Sequence, residues 1–510
     1  MSSRIISRAL RSSICNRHIS STLRTQLRSL STISVSDDPS KFTLRVPPNS
    51  STETVLEQLR HLREQKIHVP ALSYEADSAV VLATPTFARW LMNEPFMASL
   101  LSSFTQRDIQ VLAAVVDDLP PSSPFGAPAA GFSVMQGSVE EMLPAFSSQP
   151  VLYRGRGIPQ RGSLAFTLPG AAPKTKNLSV TLPLANTIFQ NGLESTLLAS
   201  SWTAQGEGAL TLSSVAEKNE HEIVLPTPLT TTTPRLSVPL IPVTPPRKIL
   251  GCLGNILSVI EVDGSPVPAS TELEAKVQEV YDSRFAADNL NTSGMPVDIW
   301  ALISTPAASL TPFLLETMKS FEKAKFDGPE EEATVGYKNA KAAAELLMSG
   351  FRLYRITSGG GGWDKRRGRL SLDAEWASSD SSEDDLNMIL NSADDSGPAI
   401  LQRGVVSPGS YVQFVTAPNV GDFATSINPA SFPGSIVVGT SSSLHDGVQA
   451  PVDVGGDAAS WVWGHFGALS RKHMFVSEKG EPSRAGSDQE SVSQPRVRTK
   501  VDSPYSYVTL

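Results

Sequence analysis

The chain has 510 residues, 40% of them hydrophobic and 18% charged, with a formal net charge of −8. That is more chain than one core normally serves, with ample apolar material for globular folding. It contains no run of about 18 apolar residues to span a bilayer, and its acidic balance argues against nonspecific nucleic-acid binding by the whole surface.

The first segment carries Arg4, Arg8, Arg11, Arg17, Arg24 and Arg28 among Ser, Leu and Ile, with no acid before Asp37. An Arg-rich, Ser-rich, acid-free stretch able to form a basic amphipathic helix is what mitochondrial import requires. Residues 1–40 are therefore expected to be a disordered targeting segment, read by the mitochondrial import machinery and addressed to the matrix. Arg28-Ser29-Leu30-Ser31 has the pattern of a processing site. The alternative is a basic tail that touches nucleic acid or lipid. Loss of the six arginines moves the formal charge from −8 to −14. Cys15 leaves with them, and Cys252, set in the apolar run Ile249 to Leu253, is expected to be a structural thiol.

Ser51 or Thr52 is placed to cap a helix through Val55, Leu56, Leu59 and Leu62. Ala79 to Ala83 reads as a buried strand, Phe87 to Phe104 as a helix with Trp90, Leu91, Phe96 and Leu100 inward, and Ile109 to Val116 as a second buried strand. Strands apolar on both faces around a helix predict parallel pairing. Short strands at Leu164–Leu168 and Leu178–Leu182 suit hairpins or sheet extensions. The Thr/Pro-rich stretch Pro226–Pro246 suits an interdomain crossing, with Leu236–Ile241 as an edge strand in the other reading. Beyond it come a helix at Leu273–Arg284, a strand at Ile299–Ile303, and an Ala-rich helix Val335–Met348 stopped by Gly350. Strands are expected at Tyr411–Val415, Ser435–Val438 and Lys472–Val476. The polar segments Ser378–Asp385 and Asn391–Gly397 look like solvated loops, and disorder is expected after Glu478, with a short strand at Tyr505–Leu510.

The pattern gives an α/β fold class, with two mixed-sheet α/β domains whose helices pack on the sheets. The first is placed at 41–245 and the second, with a glycine-rich loop, at 246–480. A polar tail occupies 481–510.

The loop is the chain's most unusual feature. Ser358, Gly359, Gly360, Gly361 and Gly362 are followed by Trp363, Asp364, Lys365, Arg366 and Arg367. Four glycines lose much backbone entropy on ordering, so a domain keeps them where positive φ or close backbone approach is needed. Their amides can converge on an anion beside the cations. The order fits neither a Walker loop, which needs Gly-Lys-Ser/Thr, nor a dinucleotide fingerprint, which needs a helix next. A solvated hairpin tip is the plainer alternative. Asn186 and Asn191-Gly192 place neutral hydrogen-bonding groups after a strand, where α/β sheets often bind ligands, although Asn-Gly also simply makes turns. His61, His68, His221, His445, His465 and His473 have no partner at metal-ligand spacing, and Gly-x-Ser-x-Gly is absent. No catalytic residue, metal ligand or cofactor is assigned, and the leaning is away from an enzyme.

The strand and helix around Val80 to Leu101, Pro183-Leu184-Ala185-Asn186-Thr187 with Asn191-Gly192, and the glycine run from Leu353 to Lys365 together resemble fungal mitochondrial proteins with FIST-type domains. The resemblance covers about residues 45–480, and Asp364 and the acidic insertion after Ser378 depart from the family pattern. It implies a sensory module that binds small ligands such as amino acids, here an anionic metabolite at residues 358–367. A different class of function is an assembly or gene-expression factor that docks RNA or a protein partner through the basic loop.

Overall fold

The computed structural model describes residues 40–64, 76–147, 162–170, 177–206, 209–226, 233–287, 297–304, 312–359, 368–373, 406–420, 432, 436–442, 459–479 and 498–510. β1 (Lys41–Arg45) leads to α1 (Thr52–Glu64), which Ser51 begins by accepting the Thr54 amide on its hydroxyl at 3.2 Å. β2 (Ser78–Ala83) and β3 (Ile109–Val115) pair in parallel, as their unbroken apolar runs predict. Val80, Leu82, Leu112 and Ala114 face one core, and Ala79, Val81, Ala83, Val111 and Ala113 face another, so neither strand has a polar side.

The single helix expected over Phe87–Phe104 is divided. A 3-10 helix (Pro85–Met92) stops at Asn93, whose side chain accepts the Phe96 amide at 2.9 Å and opens α2 (Glu94–Ser102). Pro95 has no amide hydrogen with which to continue the earlier helix, so a cap and a fresh start replace one long rod.

The first half continues with β4 (Gly131–Gly137), the single turn α3 (Val139–Met142), β5 (Ser163–Leu168), β6 (Asn177–Pro183), α4 (Ile188–Asn191), β7 (Leu197–Gln205), β8 (Ala209–Glu217) and β9 (Glu220–Val224). Then come β10 (Arg235–Ser237), β11 (Ile241–Pro242), β12 (Arg247–Leu253), β13 (Ile256–Val262), β14 (Ser265–Pro268), α5 (Ala269–Ala287) and β15 (Ile299–Ile303). α6 (Pro312–Lys319) and α7 (Pro329–Met348) follow, and α7 ends as expected at Gly350, whose φ is 101°. The last elements are β16 (Arg352–Gly359), β17 (Leu370–Leu372), β18 (Tyr411–Thr416), β19 (Ile436–Thr440), β20 (Ser460–Trp463), β21 (Phe466–Ser470), β22 (Met474–Lys479), β23 (Arg498–Val501) and β24 (Tyr507–Thr509).

Helices and mixed sheets make up the fold. One sheet runs β20-β1-β4-β2-β3-β7-β8, a second β10-β24-β19-β21, and a third β23-β22-β6-β5-β9. Six of the remaining strands close a barrel, β12-β13-β17-β16-β15-β18, because β18 pairs with both β12 and β15, while β11 pairs with β18 and β14 with β13 at its margins. Every pairing in it is antiparallel. Ile299, Ala301, Ile303, Tyr354, Val412 and Phe414 pack with Ile249 and Leu257 in the barrel's own cluster. The alternate residues Trp300, Leu302, Leu353 and Val415 turn to the central core, the period-two placement that a barrel wall demands.

The division at 245/246 has no counterpart in the contacts, since residues Ser40–Leu510 form one compact unit. β20 pairs with β1, β22 with β6, and β24 with β10, so strands from the end of the chain complete sheets begun in the first half. Val238, Leu240 and Ile241 are fully buried. Within the Thr/Pro-rich stretch these residues therefore form core and short strands, nearer to the strand reading of Leu236–Ile241 than to the interdomain crossing. The tail is corrected in the same way: residues 498–510 carry β23 and β24, with Val501 and Val508 wholly buried. Only the strand at Tyr505–Leu510 was anticipated. Residues 1–39, 378–385 and 391–397 lie outside the described residues.

Candidate functional site

β16 and β17 are the two arms of a hairpin in the barrel wall. Ile356 is opposite Leu372, Ser358 opposite Ser371, and Gly359 opposite Leu370, with a bulge between Ile356 and Ser358. Ser358 and Gly359 are exposed at the end of β16. Gly368 begins the return in the left-handed region at φ 88°, and a Cβ there would lie 2.8 Å from Pro268 Cβ. Glycine is thus required at position 368 by both backbone conformation and space. Gly360, Gly361, Gly362, Lys365, Arg366 and Arg367 lie outside the described residues.

Asn186 and Asn191 sit in the loop that enters β7. Asn186 Oδ1 accepts the Ile188 amide at 3.0 Å, and Asn191 Oδ1 accepts that of Leu193 at 3.2 Å. Asn191 Nδ2 donates to Thr196 Oγ1 at 2.8 Å, and Gly192 turns the chain at φ 85°. Both asparagines therefore bond within their own loop in the turn-making manner of that side chain, and Asn191 Nδ2 also lies 3.6 Å from Met92 Sδ. Among the described residues no hydrogen bond joins this loop to Ser358 or Gly359.

A charged cluster at the base of the hairpin was not anticipated from sequence. Arg355, on β16, pairs with Asp298 at 2.7 Å, and its carbonyl accepts the Asp373 amide at 2.9 Å just after β17. Asp373 in turn binds Lys500 Nζ of β23 at 2.7 Å. Lys500 Nζ is 3.9 Å from Asp502, which accepts the Trp300 indole N–H at 2.7 Å. Burial pushes the Asp502 carboxyl up to about 6 against the pull of Lys500, the indole bond and Arg355, with Asp373 adding to the rise. Three carboxyl groups thus face two cations, and the surplus falls on the most buried acid. The sequence signal was slight: each charge flanks an apolar strand residue, as in Asp298-Ile299 and Lys500-Val501-Asp502.

Other titratable side chains are built into the core. Burial holds His465 at about 4, with Arg45 adding to the shift, while its Nδ1 lies 2.8 Å from Thr43 Oγ1. His221 is likewise held at about 4. The His473 ring stacks edge-on against Phe475, 4.9 Å away. Cys252 is half-buried and donates to the Val406 carbonyl at 3.3 Å, and burial pushes its thiol up, the state of an unreactive cysteine. His61, His68 and His445 have no described side chain. Among the described residues no three His, Cys, Asp or Glu side chains are grouped to hold a metal ion, and no helix is long and apolar enough to cross a membrane.

No family model, curated protein or solved structure matches the chain.

Proposed function

We propose that the protein is a FIST-like, small-ligand-binding protein of the mitochondrial matrix that holds an anionic metabolite at residues 358–367. One observation carries the proposal: Gly359 and Leu370 are paired across the hairpin, so both ends of the glycine-rich segment are fixed on neighbouring barrel strands. The sequence between those ends supplies three further glycines and the cations Lys365, Arg366 and Arg367. In the sequence these glycines and cations follow one another within eight residues, the combination that suits one small anion. The Arg355–Asp298 and Lys500–Asp373 pairs brace the base of the hairpin, which lowers the ordering cost that a glycine run would otherwise impose on binding.

Thermal melting against a panel of carboxylates, amino acids and nucleoside phosphates tests this. At about 100 times its Kd, a ligand of the native state adds about 2.7 kcal/mol of stability. At least one anion is expected to raise the melting temperature, and Lys365→Ala combined with Arg366→Ala should abolish most of that rise. A wild-type melt unmoved by every anion, or a double variant that responds like wild type, defeats the proposal. The location is tested by fusing residues 1–40 to a reporter, which isolated mitochondria should import and shorten.

A further inference from the structure

Among the described methionines, Met97, Met135, Met142, Met318 and Met474 are at most 3% exposed, and Met348 packs against the central core. Met92 is 53% exposed, at the last position of the 3-10 helix Pro85–Met92. Its sulfur is open to solvent and is also engaged, since Asn191 Nδ2 donates to Met92 Sδ at 3.6 Å. A thioether is a weak acceptor, so this tie is a soft one.

On the other side of that bond, α4 buries none of its four residues, and Phe189 is 90% exposed. A turn with no buried side chain gains little from hydrophobic burial and is held by its polar bonds. The Asn191 amide uses both of its hydrogens: Nδ2 donates to Thr196 Oγ1 at 2.8 Å, within the loop, as well as to the sulfur. Arg89 Nε of the 3-10 helix donates to the Gln190 carbonyl. Two side-chain bonds thus tie the turn to the 3-10 helix, one through Arg89 and one through Met92. Of the two, the sulfur bond alone changes its acceptor when an oxidant arrives.

We infer that Met92 is a peroxide-responsive modification site, and that its sulfoxide tightens the α4 loop on the 3-10 helix. A sulfur lone pair attacks one oxygen of hydrogen peroxide, the S–O bond forms and the O–O bond breaks. The departing hydroxide takes the proton from the transferred oxygen and leaves as water. Sulfur loses two electrons and the peroxide gains two. Oxidation makes a flexible apolar side chain polar and gives it a strong acceptor oxygen, on the atom that Asn191 Nδ2 already faces. A dithiol reverses the change: the S–O bond breaks, the oxygen leaves as water with both thiol protons, and the thiols become a disulfide.

The full chain treated with dilute hydrogen peroxide and mapped by peptide mass spectrometry tests the site, with hydrogen exchange of the loop read before and after. Met92 is expected to oxidise more than about tenfold faster than Met97, Met135 or Met474, since a buried sulfur reacts only when its surroundings open. Oxidation should slow exchange of the 188–193 amides about fivefold, the effect of one strengthened hydrogen bond, and a methionine sulfoxide reductase with dithiothreitol should restore the first rate. Asn191→Asp keeps the oxygen that accepts the Leu193 amide and loses the donor to sulfur. Its loop should therefore exchange at one rate whether Met92 is oxidised or not. Oxidation of Met92 no faster than the buried methionines overturns the inference, as does a wild-type loop whose exchange is unchanged or faster once Met92 is oxidised. Both readings are made on the unaltered protein and stand even where the variant fails to fold. A folded Asn191→Asp protein whose loop slows like wild type overturns the tie through Asn191.

Discussion

His465 shows what a single buried group does to the molecule. Its ring is neutral in the folded chain down to about pH 4, whereas an exposed imidazole takes its proton near pH 6.5. The unfolded chain therefore binds the extra proton first, and stability is lost as pH falls from about 6.5 to about 4. Between pH 7 and pH 5 this one residue should cost about 2 kcal/mol. Asp502 acts in the opposite sense. Its folded value of about 6 lies above that of a free carboxyl, so it regains about 1 kcal/mol over the same interval. Urea unfolding of wild type and His465→Gln at pH 7 and pH 5 checks this, since the variant should lose about 2 kcal/mol less on acidification. Equal losses would mean that His465 is protonated in the fold. Neither residue announced itself in the sequence: His465 is an isolated histidine between Gly464 and Phe466, and its shift comes from burial, with Arg45, far away along the chain, adding to it.

Elements were legible where local chemistry alone decides them. β2, β3, β15 and β18 read directly from short apolar runs, and α7 from its alanines and the terminating glycine. The break at Asn93 was written in Asn93-Glu94-Pro95, but the apolar spacing of Trp90, Leu91, Phe96 and Leu100 runs across it and suggests one helix. The barrel was not legible, because its closure rests on pairings such as Ile303 with Val412 that no local pattern encodes. Nor could spacing reveal the hairpin's charged base, assembled from β15, β16, β17 and β23. At this scale Gly368 is the sharpest test. Gly368→Ala would force a Cβ into both a left-handed backbone and Pro268, and should lower stability by about 2 kcal/mol in thermal or denaturant melts. An alanine variant as stable as wild type would show that the hairpin return has freedom to shift.

For the whole molecule, composition suggested two domains because 510 residues exceed one ordinary core. The size argument could not foresee that β20, β22 and β24 return to strands begun in the first half. It follows that residues 41–245 made alone should lack β1's neighbour β20 and β6's neighbour β22, and should aggregate or show no cooperative transition. Removal of residues 498–510 should likewise abolish cooperative melting of the full chain, because Lys500, Val501 and Val508 fill the interior. A sharp melt from either fragment would restore the two-domain reading.

The Thr43–His465 contact spans 422 positions of the chain. During synthesis, β1 emerges long before β20, the strand that flanks it, so that edge of β1 stays open until most of the chain has been made.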